Sequence, residues 1–236
     1  MFTVNRKRAK RGRPPGRTPE GEAARRRLYE TAVALIGERG YEATTLRDVA
    51  DRAGVSVGLL YRYFPSKRAI VLALYDELSD TYAQRATEMP RGRWRDRFLA
   101  ALDTSLRVLG PHRVTLRALV PVMVGDVEEG LFARTTAFSR VRVQTVFQDA
   151  VVNATDAPTR TLAEAIGRLL YLLHLAVILW WLLDKSPGQR ATHALVALFR
   201  RLLPSAALTL RLPPVRGFVQ SADALFREAL LDSPEA

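Results

Sequence analysis

Apolar residues return every three or four positions along most of this chain, the spacing of one helix face. Leu28, Ala32, Leu35 and Ile36 share a face of a first helix predicted from Thr18 and Pro19 to about Arg39. Thr18 suits the cap and Pro19 the first helical position, Glu20 and Glu22 complement the positive end of the dipole, and Gly40 marks the stop. Leu46, Val49, Ala50 and Ala53 predict a short second helix, opened by Thr45 with Asp48 three residues on, the spacing of a capping box. Gly54 permits a sharp turn, Ser56 suits the cap of another short helix reaching about Phe64, and Pro65 ends it. Ser66 then opens a longer helix whose Ile70, Leu74 and Leu78 lead toward the breakers Pro90 and Gly92.

Beyond that pair, helices are predicted near 93–109, 112–124, 129–154, 159–184, 189–203 and 221–231. Gly110, Pro111, Gly125, Pro158, Pro187, Gly188, Pro204 and the pair Pro213–Pro214 mark the joints. Ala207–Leu212 alternates like a strand, but six residues with no partner run nearby read as loop or helix end. The fold class expected is all-α. Leu169–Leu183 (LLYLLHLAVILWWLL) is almost wholly apolar, yet such a run rises roughly 22 Å as a helix against a hydrocarbon core of roughly 30 Å. Arg168 and Asp184 bracket it and His174 lies within it, so the reading is a helix enclosed in a soluble protein, with a membrane anchor as the alternative.

Charge divides the chain. Residues 1–68 carry 16 basic and 7 acidic side chains, while the remaining 168 carry 20 and 17, so a basic head precedes a nearly neutral body. That distribution suits one end facing a polyanion, and a generally solvated basic surface is the alternative. With no cysteine there is no disulfide framework, cysteine zinc site or thiol nucleophile. The Arg-rich start has no apolar stretch and no small-residue cleavage site after it, so a cytoplasmic protein is expected.

Two short helices joined by a glycine turn, after a basic arm, fit a helix-turn-helix whose second helix enters the major groove. The segment Gly40-Tyr41-Glu42-Ala43-Thr44-Thr45-Leu46-Arg47-Asp48-Val49-Ala50, then Ala53-Gly54-Val55-Ser56, then Leu60-Tyr61-Arg62-Tyr63-Phe64-Pro65-Ser66-Lys67, resembles the tetracycline-repressor (TetR) family over roughly residues 25–80. The resemblance implies that Thr44, Thr45, Tyr61, Tyr63 and Lys67 grip phosphates while Arg47, Val57, Gly58, Leu59 and Arg62 lie near base edges. Hydroxyl donors, a lysine and two helix N-termini are suitable phosphate partners in their own right, with Ser56 at the start of the recognition helix. Partial packing is the other reading of Tyr61 and Tyr63. Position 63 departs from the family, where His is frequent; Tyr keeps a donor but cannot become charged. Val57, Gly58 and Leu59 offer no side-chain hydrogen bonds, so direct readout falls to Arg47 and Arg62, which suit guanine O6 and N7; a phosphate is the alternative for each.

In the arm, Lys10-Arg11-Gly12-Arg13-Pro14 resembles an AT-hook, with Arg11 and Arg13 suited to a narrow minor groove; a loose basic tail is the alternative. In the C-terminal half Met123, Phe147, His174, Val177 and Trp181 are candidate ligand residues. His174, Val177 and Trp181 share one helix face, and a polar ring among aromatics suits an elongated apolar ligand with one hydrogen-bonding group; a satisfied core histidine is the alternative. No metal-ligand spacing, phosphate loop, nucleophile elbow or dinucleotide motif occurs in the sequence, so neither a cofactor nor an enzymatic activity is expected. The organisation expected is an arm at 1–17, an N-terminal three-helix DNA-binding domain at 18–65, a connecting helix at 66–90, and a C-terminal helical effector-binding and dimerisation domain at 91–236. The partners expected are double-stranded DNA, a small molecule and a second copy, paired through 159–184 and 189–203 as a four-helix bundle. The mechanism the resemblance implies is repression relieved by a population shift: the effector favours a state whose recognition helices no longer match two half-sites.

Overall fold

The computed structural model describes residues 19–231. The arm, with Arg11 and Arg13, and the Thr18 cap lie outside the described residues. Three helices open the chain: α1 (Pro19–Arg39), α2 (Leu46–Ala53) and α3 (Val57–Tyr63). Their ends form as the local sequence dictates. The Thr45 side chain accepts from the Asp48 amide, the Asp48 side chain accepts from the Thr45 amide, and Ser56 accepts from the Leu59 amide. Gly54 holds a left-handed φ of 67° at the turn, a conformation that an L side chain resists. Leu28, Leu35 and Ile36 of α1 pack with Val49, Ala50, Leu60 and Phe64 into the core of the head.

Helix α4 (Lys67–Ala86), capped by Ser66, links the head to the body and stops four residues short of Pro90. The body continues with α5 (Trp94–Leu109), α6 (Arg113–Ala118), α7 (Val120–Gly125), α8 (Ala137–Val152), α9 (Arg160–Leu183), α10 (Arg190–Thr209) and α11 (Pro213–Phe226). A wide helical turn, Arg227–Leu231, follows α11. Every described element is helical, as the apolar spacing predicts.

Four boundaries differ from those expectations. The helix expected over 112–124 is broken into α6 and α7, because Pro121 has no amide to continue the ladder. The helix expected from 129 starts at Ala137, because the Asp126 side chain accepts from the amides of Glu128 and Glu129 and folds that stretch into a turn. Pro204, expected as a joint, lies inside α10; its exposed position leaves water to satisfy the carbonyl it releases. Pro213 and Pro214 open α11, where the missing amides cost no intrahelical bonds.

Two buried or half-buried arginines close helix ends from across the body. Arg97 donates to the Ala150 and Asp149 carbonyls at the end of α8, and Arg113 donates to the Trp181, Leu182 and Asp184 carbonyls at the end of α9. Arg168 and Asp223 form a bidentate pair, both contacts 2.6 Å, that fastens α11 to α9. Helix α9 is long and apolar enough to cross a membrane, yet half of that stretch is buried inside the protein, beneath α8 and α11. What it leaves exposed is a stripe: Leu179, Trp180 and Leu183.

Candidate nucleic-acid interface and ligand cavity

The second helix of the head presents one side outward. Val57, Gly58 and Leu59 start α3, with Gly58 exposed and the other two half-exposed. A Cβ built on Gly58 meets no atom within 4 Å, so the fold does not require glycine there. Glycine inside a helix costs roughly 0.5–1 kcal/mol relative to alanine, and packing within the described residues does not call for it here. Arg47 and Arg62 are both exposed, and neither enters an ion pair among the described residues, whereas nearby Arg52 is held by Glu38. Tyr61 is 53% exposed and Tyr63 half-buried.

The threonines are placed differently. Thr44 is buried and its hydroxyl donates to the Gly40 carbonyl at 2.8 Å. The Thr45 hydroxyl donates to Asp48 at 2.6 Å. Both protons are engaged within the head, so these residues offer a phosphate less than their composition suggests. Lys67 also has a task inside the protein: its Nζ donates to the Tyr41 carbonyl at 2.6 Å and lies 4.0 Å from the centre of the Tyr41 ring. An ammonium carries three donors, so two remain.

Tyr41 connects the head to the body. Its hydroxyl donates to Glu129 at 2.8 Å, and burial together with that carboxylate raises its pKa. Arg68, next to Lys67, pairs with Glu128. Both acids belong to the loop between α7 and α8, and the loop is sharply shaped: a Cβ on Gly130 would lie 2.2 Å from the Asp126 carbonyl oxygen. The Leu131 amide closes the loop on the Met123 carbonyl at 2.9 Å. A second contact between the halves is the Thr115 hydroxyl of α6, which donates to Val33 of α1 at 3.0 Å.

Met123 and Leu131, the two ends of that loop, also line a cavity of about 100 Å³ enclosed by α4, α5, α6, α8 and α9. His174 lies in its wall, where its Nε2 is 2.8 Å from the Ser105 hydroxyl, its ring stacks on Tyr82 and Phe147 packs 4.7 Å away. Burial with no charged neighbour pushes its pKa down to about 3, so the ring is neutral. The buried hydroxyls of Tyr75 and Tyr82 are likewise held well above the ordinary tyrosine range, chiefly by desolvation. Leu78, Ser139, Arg140 and Val143 complete much of the remaining wall.

Of the five candidate ligand residues, the structure brings Met123 and His174 to this cavity. Phe147 supports the His174 ring from behind, and Val177 is buried outside the lining. Trp181 is pinned elsewhere, its indole N–H donating to Gln189 at 2.7 Å. Seven residues of helix rise roughly 10 Å, so a shared face does not make a shared site. Tyr75, Tyr82, Ser105 and Arg140 were missed. The available signal was polar-tipped side chains within apolar stripes: Tyr75, Leu78 and Tyr82 on α4, and Arg140, Val143 and Phe147 on α8. Among the described residues no group of three or more His, Asp or Glu is placed to hold a metal ion.

The fold is thus a helix-turn-helix head joined by a long helix to a helical body with an internal cavity. Residues 28–74 match the family model of bacterial regulatory proteins, tetR family. The repressor KstR of Mycobacterium tuberculosis is 52% identical over 56 residues, which cover 23% of this chain and 26% of that protein. The repressor KstR2 of Rhodococcus jostii is 36% identical over 108 residues, 45% of each chain. The chain therefore matches less than half the length of these curated relatives. In three dimensions a tetR-family transcriptional regulator from Streptomyces coelicolor matches with a TM-score of 0.58 at 22% identity, covering 86% of this chain and 89% of that one. At that identity the likeness shows the fold.

Proposed function

We propose that this protein is a ligand-responsive transcriptional regulator, a repressor that holds a palindromic operator as a homodimer in the cytoplasm and releases it when a small, largely apolar effector enters the body. It is not an enzyme. The observation that carries the reading is the loop from Met123 to Leu131. Its ends line the cavity, and its tip holds Tyr41 and Arg68, on either side of the helix-turn-helix. A molecule that displaces Met123 or Leu131 thereby moves the two acids that position the head, and an effector shifts an equilibrium only through such differential contacts. The cavity is small as it stands, so filling it requires these walls to move, which is the coupling the reading needs.

At the DNA, Arg47, Arg62 and Tyr61 meet bases and phosphates, α3 approaches closely at Val57, Gly58 and Leu59, and Ser56, Tyr63 and Lys67 flank the contact with backbone amides and donors. Thr44 and Thr45 act chiefly through the backbone they hold, with Arg11 and Arg13 reaching the adjacent minor groove. The pairing surface is an apolar stripe on α10, where Ala194, Leu198 and Leu202 follow at helical spacing and stand exposed, together with Trp180 and Leu183 of α9. This keeps the expected α9–α10 hairpin as the four-helix interface.

A footprint on the DNA flanking the protein's own gene tests the reading: two protected half-sites are expected, and absence of protected DNA there and across a random-sequence selection overturns it. With the operator in hand, Tyr41→Phe should leave operator affinity within about threefold and reduce the effector's ability to release DNA, since one hydrogen bond to a carboxylate contributes about 1.5–3 kcal/mol. Full effector response in that variant would remove the loop from the coupling.

A further inference from the structure

The cavity contains more hydrogen-bond donors than it can satisfy. Tyr75 Oη, Tyr82 Oη and His174 Nδ1 are buried and have no hydrogen-bond partner among the described residues. The state of His174 follows from Ser105, whose hydroxyl has His174 Nε2 as its partner. When that hydroxyl donates to Nε2, the ring's own proton stands on Nδ1. The two tyrosine hydroxyls, and Nδ1 in that tautomer, then carry protons with no acceptor among the described residues, and buried polar groups in native proteins are nearly always paired.

The charge of the wall points the same way. No Asp or Glu lines the cavity, and its charged member is Arg140. Arg140 Nη1 donates to the Leu131 and Ala133 carbonyls, at 3.3 and 3.2 Å, while among the described residues Nε and Nη2 have no acceptor and no acid pairs with the guanidinium. Beyond Met123, Leu131, Leu175 and Ile178, which both share, lies a second cavity of about 200 Å³ walled by apolar side chains such as Phe132 and Leu179. Met123, an unbranched and adaptable side chain, stands between the two.

We infer that the effector is an apolar carboxylate, its oxygens accepting from the unpartnered donors of Tyr75, Tyr82 and His174, its charge met by Arg140, and its carbon frame extending past Met123 into the second cavity. This rests on reading the cavity as the effector site. A cation would face Arg140 and the unpartnered donors, and a neutral alcohol would make no use of the half-buried Arg140 charge.

The test is calorimetric binding to the full-length protein without DNA, using two carbon frames with three heads each: dodecanoate, dodecanol and dodecylamine, and phenylhexanoate, phenylhexanol and phenylhexylamine. At least one acid should bind about tenfold or more tighter than its alcohol, with its amine weakest. Arg140→Gln should bring that acid to the level of its alcohol. Because Arg140 also holds two carbonyls, Arg140→Lys, which keeps the charge, and Tyr82→Phe, which keeps the ring and deletes one donor, are measured beside it. The first should retain the order of heads, and the second should lower acid affinity severalfold. Equal binding of acid and alcohol, an amine that binds tightest, no binding by any of the six, or an acid preference that survives Arg140→Gln overturns the inference. Release of operator DNA is scored separately: an acid that binds as expected without releasing DNA refutes the effector role and leaves the ligand class standing.

Discussion

The head and the body satisfy their polar groups in opposite ways. In the head the bonds that close helix ends and turns are short-range: Thr45 with Asp48, Ser56 with Leu59, and Thr44 with Gly40 each join residues three or four apart. In the body they reach across the chain, Ser105 to His174 over 69 positions and Arg97 to Ala150 over 53, and three polar atoms at the cavity have no partner among the described residues. Locally closed bonds make a small, preformed surface suited to reading another rigid surface. A cavity with unplaced donors has a polar deficit that a ligand can fill, and in the proposed function the loop from Met123 to Leu131 carries the result to the head.

The comparison breaks most completely at the pairing surface. Trp180→Glu combined with Leu198→Glu should give a monomer that sediments at half the mass and loses specific binding, because two half-sites require two heads and charge facing its copy repels it. An intact dimer would place the interface elsewhere. Next in size is the head itself: Arg62→Ala and Arg47→Ala should each weaken operator binding by about 1–3 kcal/mol and relax preference at one base pair per half-site. A loss equal on every sequence would make the residue a phosphate contact.

The third prediction sharpens the contrast on the side of the body. The pKa of His174 falls from 6.5 to about 3 on folding, so its neutrality destabilises the folded state once the unfolded chain can take up a proton. Stability is unaffected by this group above pH 6.5 and declines through it between pH 6.5 and about 3, by about 1.4 kcal/mol per pH unit. Denaturant titrations of wild type and His174→Gln over that window should differ in slope by up to one proton; parallel curves would mean the ring is protonated in the folded protein. The smallest effect belongs to Gly58→Ala, which should raise thermal stability by about 0.5–1 kcal/mol while weakening operator binding. A stabilised variant with unchanged binding would show that nothing approaches α3 closely.

Much of the head was legible because its determinants are neighbours. The capping box, the left-handed Gly54 and the serine caps of α3 and α4 are decided within four residues, so the sequence by itself determined three helices, their ends and the outward side of α3. For α9 the sequence left a membrane anchor as the alternative, and the packing of α8 and α11 buries half of its apolar stretch. The missed boundaries were legible in principle: Pro121 and the Asp126 turn are local signals that the apolar periodicity obscured.

What only the tertiary structure decided is which buried polar groups meet. Tyr75, Ser105, Arg140 and His174 come from four helices, and nothing local distinguishes a tyrosine that packs from one whose hydroxyl faces a void. Tyr41 and Glu129 stand 88 positions apart, and their bond exists because Gly130 and Asp126 fold a loop at the place where α1 crosses α6. Helix ends are fixed by hydrogen bonds that span one turn, so sequence encodes them directly. A cavity is fixed by how whole helices pack, and its chemistry appears only when side chains distant along the chain are brought to one wall.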